Sequence, residues 1–377
     1  MYNAPTRQQL IEWKSSGDDE ADRLIEYTLT GRDLPEIVML MRQLRDNNDP
    51  VPVALPAEIR SYLQNSAKLP AWADAEKIRA GQALFSQYGP QILMVLGFKA
   101  LPQCYACGDG AEVLYQTGRL DGKDGDYARL ARRLMETSQF VIDTMAPDAF
   151  TPEGRGLIVA AKIRLIHAAI RFYLKARKIA VNGTAISQTY LAGTLMAFSA
   201  LTLQGLSQME MTPSPAETDG YIHCWRIVGH VVGLRAELLP ENYEQATALG
   251  TQIFDMELKS SDAGKELTKA LLLFYGDMIP GKSFDIVAAD LMRFFLGTRI
   301  ANVLAVQDSA SGDFVTLLFR FFGKLLNFAE SHSGKFRSLF EKYTPLYMQA
   351  MLNYMNPAKQ VYFDIPPSLK ENWKIGS

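Results

Sequence analysis

Apolar residues recur along this chain at the three- and four-residue spacing of helices, and the two-residue alternation of strands is scarce. Short amphipathic segments come first, at Arg7–Lys14, Asp19–Leu29 and Leu34–Arg45. An Asn- and Pro-rich break over Asn47–Pro56 interrupts them. Apolar helices are expected at Ala75–Tyr88 and Pro90–Leu96, then a loop holding Gly108 and Gly110 and a short helix near Leu114. The loop Asp121–Gly125 leads into a long helix from Asp126 to Met145. Thr151 and Pro152 offer a capping hydroxyl and a first-turn proline, both suited to a helix start. The apolar run Gly156–Tyr173 follows and closes on Lys175, Arg177 and Lys178, where the helix dipole favours cations. Further helices are predicted at Ser187–Gln208, Ala216–Leu234, Tyr243–Met256, Gly264–Met278, Phe284–Val306, Phe314–Glu330 and Lys335–Tyr354. A tail running from Ile365 through two prolines ends on Trp373. The pattern predicts an all-α protein. Residues 1–65 read as an N-terminal helical extension and 66–377 as the main domain. No linker is polar enough to separate two cores, so one compact unit is expected.

Composition changes this picture little. The chain has 377 residues, 48% hydrophobic and 21% charged, with a net charge of −2, an ordinary globular balance. Charges of both signs are mixed, so nothing suggests a nucleic-acid surface or an anionic-membrane surface. Three cysteines and an N-terminus without an apolar signal segment fit a reduced cytoplasmic protein. No charge falls between Lys178 and Glu210, but the apolar part, Tyr190–Leu206, contains Gly, Thr, Ser and Gln. A membrane span needs roughly 20 predominantly apolar residues, so this stretch reads as a buried core helix.

Candidate chemistry lies in a few constellations. In the run Gly156–Tyr173, Arg164, His167 and Arg171 fall within roughly 60° of arc on a helix. Nearly everything else in that run is apolar. His223, Arg226 and His230 have the same three- and four-residue spacing. A haem in an all-α protein needs an axial ligand, often histidine, and cations for its propionates. Either stripe could supply both. A histidine on an apolar helix is more often a hydrogen-bonded core residue than a ligand, and spacing alone does not rank the two stripes. Arg133, Glu136 and Thr137 also share a face, as a site steering oxygen or protons would require or as an exposed ion pair would. Asp18, Asp19 and Asp22 match a magnesium-binding spacing, yet no second acidic helix accompanies them. They read instead as acids in the first turn of a helix. Cys104 and Cys107 form a lone CxxC without further zinc ligands and read as small buried residues. None of the four histidines follows a glutamate by three, which argues against a di-iron bundle. No serine-nucleophile elbow, P-loop or dinucleotide fingerprint occurs.

The order of these motifs resembles the latex-clearing rubber oxygenases and their MpaB-type relatives. The resemblance rests on Thr117–Leu120, Arg133–Thr137, the Arg164–His167–Ala168–Arg171 helix and Gln188 with Phe198–Ser199. It continues through Trp225–Arg226, Val228–Gly229, Gly233–Leu234, Arg293–Phe294 with Gly297, and the prolines and Trp373 of the tail. It implies a globin-like helical core around haem b, with additional N- and C-terminal helices. His167 would be the iron ligand. Arg164 and Arg171 would orient it or the propionates, with Arg226 and Arg293 also at the cofactor. Arg133 and Thr137 would lie on the distal side. Two positions depart from the family pattern. Glu136 stands where rubber oxygenases have a lysine able to reach the iron, so the sixth site is expected to be open or water-bound. Thr117 stands near the position of their proposed catalytic glutamate, a role Glu136 could take. The resemblance thus implies a haem b oxygenase using O2 on a small hydrophobic, isoprenoid- or lipid-like molecule. A non-catalytic helical haem- or lipid-binding protein is the alternative, and a bundle without cofactor a third reading.

Overall fold

A computed structural model of the chain describes residues 2–29, 43–66, 68–116, 127–176, 178, 181–278 and 283–308. The expected helices Phe314–Glu330 and Lys335–Tyr354, the Trp373 tail, Thr117–Leu120 and most of Leu34–Arg45 lie outside the described residues. Fourteen α-helices occur among the described residues. Three short ones open the chain: α1 (Arg7–Trp13), α2 (Asp19–Leu29) and α3 (Ala57–Ser66). The middle of the chain forms α4 (Ala75–Val95), α5 (Leu101–Tyr105), α6 (Gly108–Gln116), α7 (Tyr127–Met145) and α8 (Gly156–Ala176). The remainder forms α9 (Gln188–Phe198), α10 (Ala200–Gln208), α11 (Pro215–Val232), α12 (Tyr243–Glu257), α13 (Asp262–Met278) and α14 (Ser283–Val303). The all-α expectation holds. Among the described residues the only β-type pairing is an isolated bridge between Cys107 and Lys259.

Capping chemistry explains several helix starts. Thr6 with Gln9, and Ser214 with Glu217, form reciprocal capping boxes. Asp74 accepts from the backbone N–H groups of Glu76 and Lys77 to open α4. Gly233 closes α11 in the left-handed region at φ 95°.

Three expectations are corrected. Ala75–Tyr88 and Pro90–Leu96 are one helix that runs through Pro90 and ends in a π turn over Leu96–Ala100. The glycines at 108 and 110 lie within α6 rather than in a loop. A Cβ on Gly108 would stand 2.9 Å from the Lys259 carbonyl, so this glycine serves close packing and not a turn. The helix predicted over Ser187–Gln208 is broken at Ser199 (φ −107°, ψ −83°). Hydroxyls satisfy carbonyls around the break: Ser199 donates to Leu195, Thr202 to Ala197 and Tyr221 to Phe198.

Buried apolar side chains from Leu10 to Val306 form one cluster, so the described part of residues 1–65 shares the core of the rest. Helices α4 and α11 cross at Gly81 and Gly220, where a Cβ on either would collide with the other's backbone. Helix α8 lies beside α2, α7 and α11 at the centre of this arrangement. No helix among the described residues is long and apolar enough to cross a membrane.

Candidate active site

Helix α8 buries most of its length, as its apolar composition requires. His167, half-buried, stands where two adjoining cavities of about 190 and 170 Å³ meet. The cavities share Cys104, Leu114, Ile163, His167, Leu191 and Thr194. One extends past Ile166, Ile170 and Tyr190 to Glu257; the other extends past Phe140, Phe198 and Trp225 to Val232. Among the lining residues described, His167 is the one imidazole, and no lysine or arginine accompanies it. An apolar enclosure with one nitrogen base suits a hydrophobic ligand, and its imidazole could hold a haem iron, with no cation for the propionates among the described lining residues.

The arginines on either side of His167 do not reach these cavities. Arg164 donates to both Asp18 oxygens and to Glu20 at 2.7 Å. Arg171 pairs with Asp22 at 2.7 Å and donates to the Ile186 carbonyl. The structure thus separates a stripe that spacing placed on one face: the imidazole turns inward and both guanidiniums clamp the segment that begins α2. Asp18 and Asp22 are the partners of that clamp, beyond the dipole role read for them from sequence. Gly233 permits it, because a Cβ there would strike Asp18 and Arg164. Gln188 locks the same joint. Its amide donates to the Gly17 and Gly233 carbonyls and its oxygen accepts from the Arg235 N–H.

The second stripe has a different surrounding. The His223 Nε2 accepts from the Asp74 N–H at 2.9 Å. His223 and His230 meet the Trp72 ring edge-on at 5.7 and 5.8 Å, and the Arg226 guanidinium lies over it at 4.3 Å. Arg226 also pairs with Glu241 at 3.2 Å. None of the three lines either cavity. Burial, with Lys77 and Arg226 nearby, pushes the His223 imidazole down to about 4.

Of the Arg133–Glu136–Thr137 cluster, Thr137 lines a cavity. Glu136 is buried beside it but is absent from both linings, so the geometry does not carry the relay role expected of it. The Arg133 side chain lies outside the described residues. Arg293 pairs with Asp308 and donates to the Val306 carbonyl, tying down the end of α14 away from both cavities. Cys104 and Cys107 both line a cavity. Burial pushes the Cys104 thiol up to about 12. Among the described residues no cluster of three metal-binding side chains occurs.

Sequence reasoning missed Tyr190 and Glu257, which line the cavity shared with His167. A signal for Glu257 was present. A carboxylate at the last position of a helix opposes the dipole and needs another reason to be there. That reason is Lys14, whose ammonium lies 2.8 Å away.

Fold and cavity together define a helical protein whose described residues build an apolar internal site around the His167 imidazole. The model of the family described as ER-bound oxygenase mpaB/B'/Rubber oxygenase, catalytic domain, matches residues 91–328, and the chain belongs to that family of oxygenases. The rubber oxygenase of Streptomyces sp. (strain K30) is 24% identical over 296 residues, covering 77% of this chain and 70% of that one. The fold is similar to that of a latex clearing protein solved in its closed state, with a TM-score of 0.76 at 20% identity. That likeness covers 94% of this chain and 95% of the other.

Proposed function

We propose that the chain is a haem b oxygenase that uses O2 on a small hydrophobic, isoprenoid- or lipid-like molecule. The observation that carries this reading is His167, the one imidazole among the described lining residues, standing where two apolar cavities meet. Membership of the oxygenase family and the rubber-acting relative set the class of substrate. An imidazole nitrogen of His167 would hold the iron. When bound, haem supplies an iron centre for O2 and its electrons. The chain's own side chains do the rest. Phe140, Phe198 and Trp225 give the second cavity a largely aromatic, apolar surface for a hydrophobic substrate. Thr137 contributes a polar side chain to the lining of that cavity. Arg164, Arg171, Arg226 and Arg293 take no cofactor role in this proposal, because carboxylates or backbone carbonyls already occupy them. The free cysteines suit a reducing compartment, and we place the protein in the cytoplasm.

The test is the absorption spectrum of the purified protein. A Soret band is expected, lost in His167→Ala and kept in His230→Ala. Protein that stays colourless after incubation with haem would overturn the proposal, and a band lost in His230→Ala alone would overturn the ligand.

A further inference from the structure

The cavity that begins at His167 ends at a polar group in its wall. Glu257 is buried, and its two oxygens are used unequally. Oε2 accepts from the Lys14 ammonium at 2.8 Å and from the Tyr190 hydroxyl at 3.0 Å. Oε1 has no hydrogen-bond partner. A buried acceptor left in that state is costly, and a ligand that donates to it recovers the loss. The surrounding charge selects the donor. Lys14 also faces Asp109, at 3.7 Å, and Asp109 is held by Lys259 at 3.1 Å and by Asn182 at 2.7 Å. Two ammonium groups and two carboxylates balance, so a third cation gains little. An anionic head group would meet the bare carboxylate oxygen. A plain hydrocarbon would leave it unsatisfied. Burial and the neighbouring carboxylate raise the Tyr190 hydroxyl above its ordinary range, so it stays a donor to Glu257 and does not compete as a base.

We propose that Glu257 anchors the hydroxyl of a neutral, otherwise apolar alcohol whose hydrocarbon body lies along the cavity toward His167. The isoleucines at 163, 166 and 170 form one side of that path, spaced along a single face of α8. This names the substrate class of the oxygenase reading and rests on it for turnover, but not for binding.

The experiment is calorimetric titration of the purified protein with farnesol, with its methyl ether, which has lost the donor, and with farnesoate, which is anionic. Farnesol is expected to bind about tenfold more tightly than either. In Lys14→Met/Glu257→Leu, which removes the anchor and keeps the charge balanced, that advantage should vanish. Equal binding of the three ligands by the unmodified protein would overturn the proposal without any variant. So would a farnesol preference that survives in the double variant. The haem reading fails separately, by the missing Soret band. The ligand ranking is read as heat and does not depend on that band.

Discussion

Two helices carry the same pattern of histidine and arginine at three- and four-residue spacing, and the fold uses them in opposite ways. On α8 the pattern splits. Arg164 and Arg171 reach outward to Asp18, Glu20 and Asp22, and His167 alone faces the cavities. On α11 it stays together, because Trp72 offers one ring that both histidines and the arginine can pack against. Spacing decides which side chains share a face. What lies opposite that face decides their chemistry, and in both helices it comes from a remote part of the chain.

The hardest test of this contrast is removal of each imidazole. His167→Ala is expected to lower oxygen uptake with an isoprenoid substrate by more than about a hundredfold, since loss of a metal ligand exceeds the loss seen for its supporting groups. His230→Ala should stay within about twofold, as an exposed side chain away from the site. Equal losses in the two variants would erase the distinction.

The arginines give the next test. Asp18→Ala strips the half-buried Arg164 of its main partner and should cost about 3 kcal/mol in thermal unfolding. Arg164→Leu added to it should restore most of that loss, because the uncompensated charge goes with it. The Soret band should stay unchanged throughout. A variant at Arg164 that shifts the band and leaves the melting temperature alone would return this residue to the cofactor.

Much of the fold was legible because helical periodicity is a local property. The α8 and α11 runs could be read within a turn or two of their ends, although Thr151 and Pro152 do not start α8, which opens at Gly156. The errors share a cause. Gly108 looked like a loop residue because the Lys259 backbone that packs on it lies far along the chain. The clamp between Asp18 and Arg164 joins residues 146 positions apart, a pairing no local pattern contains. The site was legible only where family order singled out His167. Glu257 belongs to no motif, and its role follows from Lys14 and Tyr190 arriving from two other helices' neighbourhoods.

A pH titration separates the two stripes again. Folding holds the His223 imidazole near 4 against an ordinary 6.5, so the folded state favours the neutral form that accepts the Asp74 N–H. That contribution is complete above pH 6.5 and is lost as pH falls toward 4, where the unfolded chain takes up the proton first. The loss should be on the order of 1 kcal/mol, allowing for solvent near the ring. His223→Gln should flatten melting temperature against pH across this window. A wild-type curve already flat there would mean that the Asp74 bond does not depend on a neutral ring.

The smallest expected effect falls on Arg226, and it is informative for that reason. The residue stands in a family motif beside Trp225, which made it a candidate for a haem propionate. In the structure it stacks on Trp72 and pairs with the half-exposed Glu241. A cation over an aromatic face at a partly exposed site contributes about 0.5–1 kcal/mol, and an exposed ion pair adds little. Arg226→Met keeps the apolar stem over the ring, so its cost should be below about 1 kcal/mol. Haem affinity should not change at all. If haem titration of this variant shows a tenfold weaker complex with the melting temperature intact, then the α11 stripe also serves the cofactor, and the division of labour between the two helices fails at its weakest point.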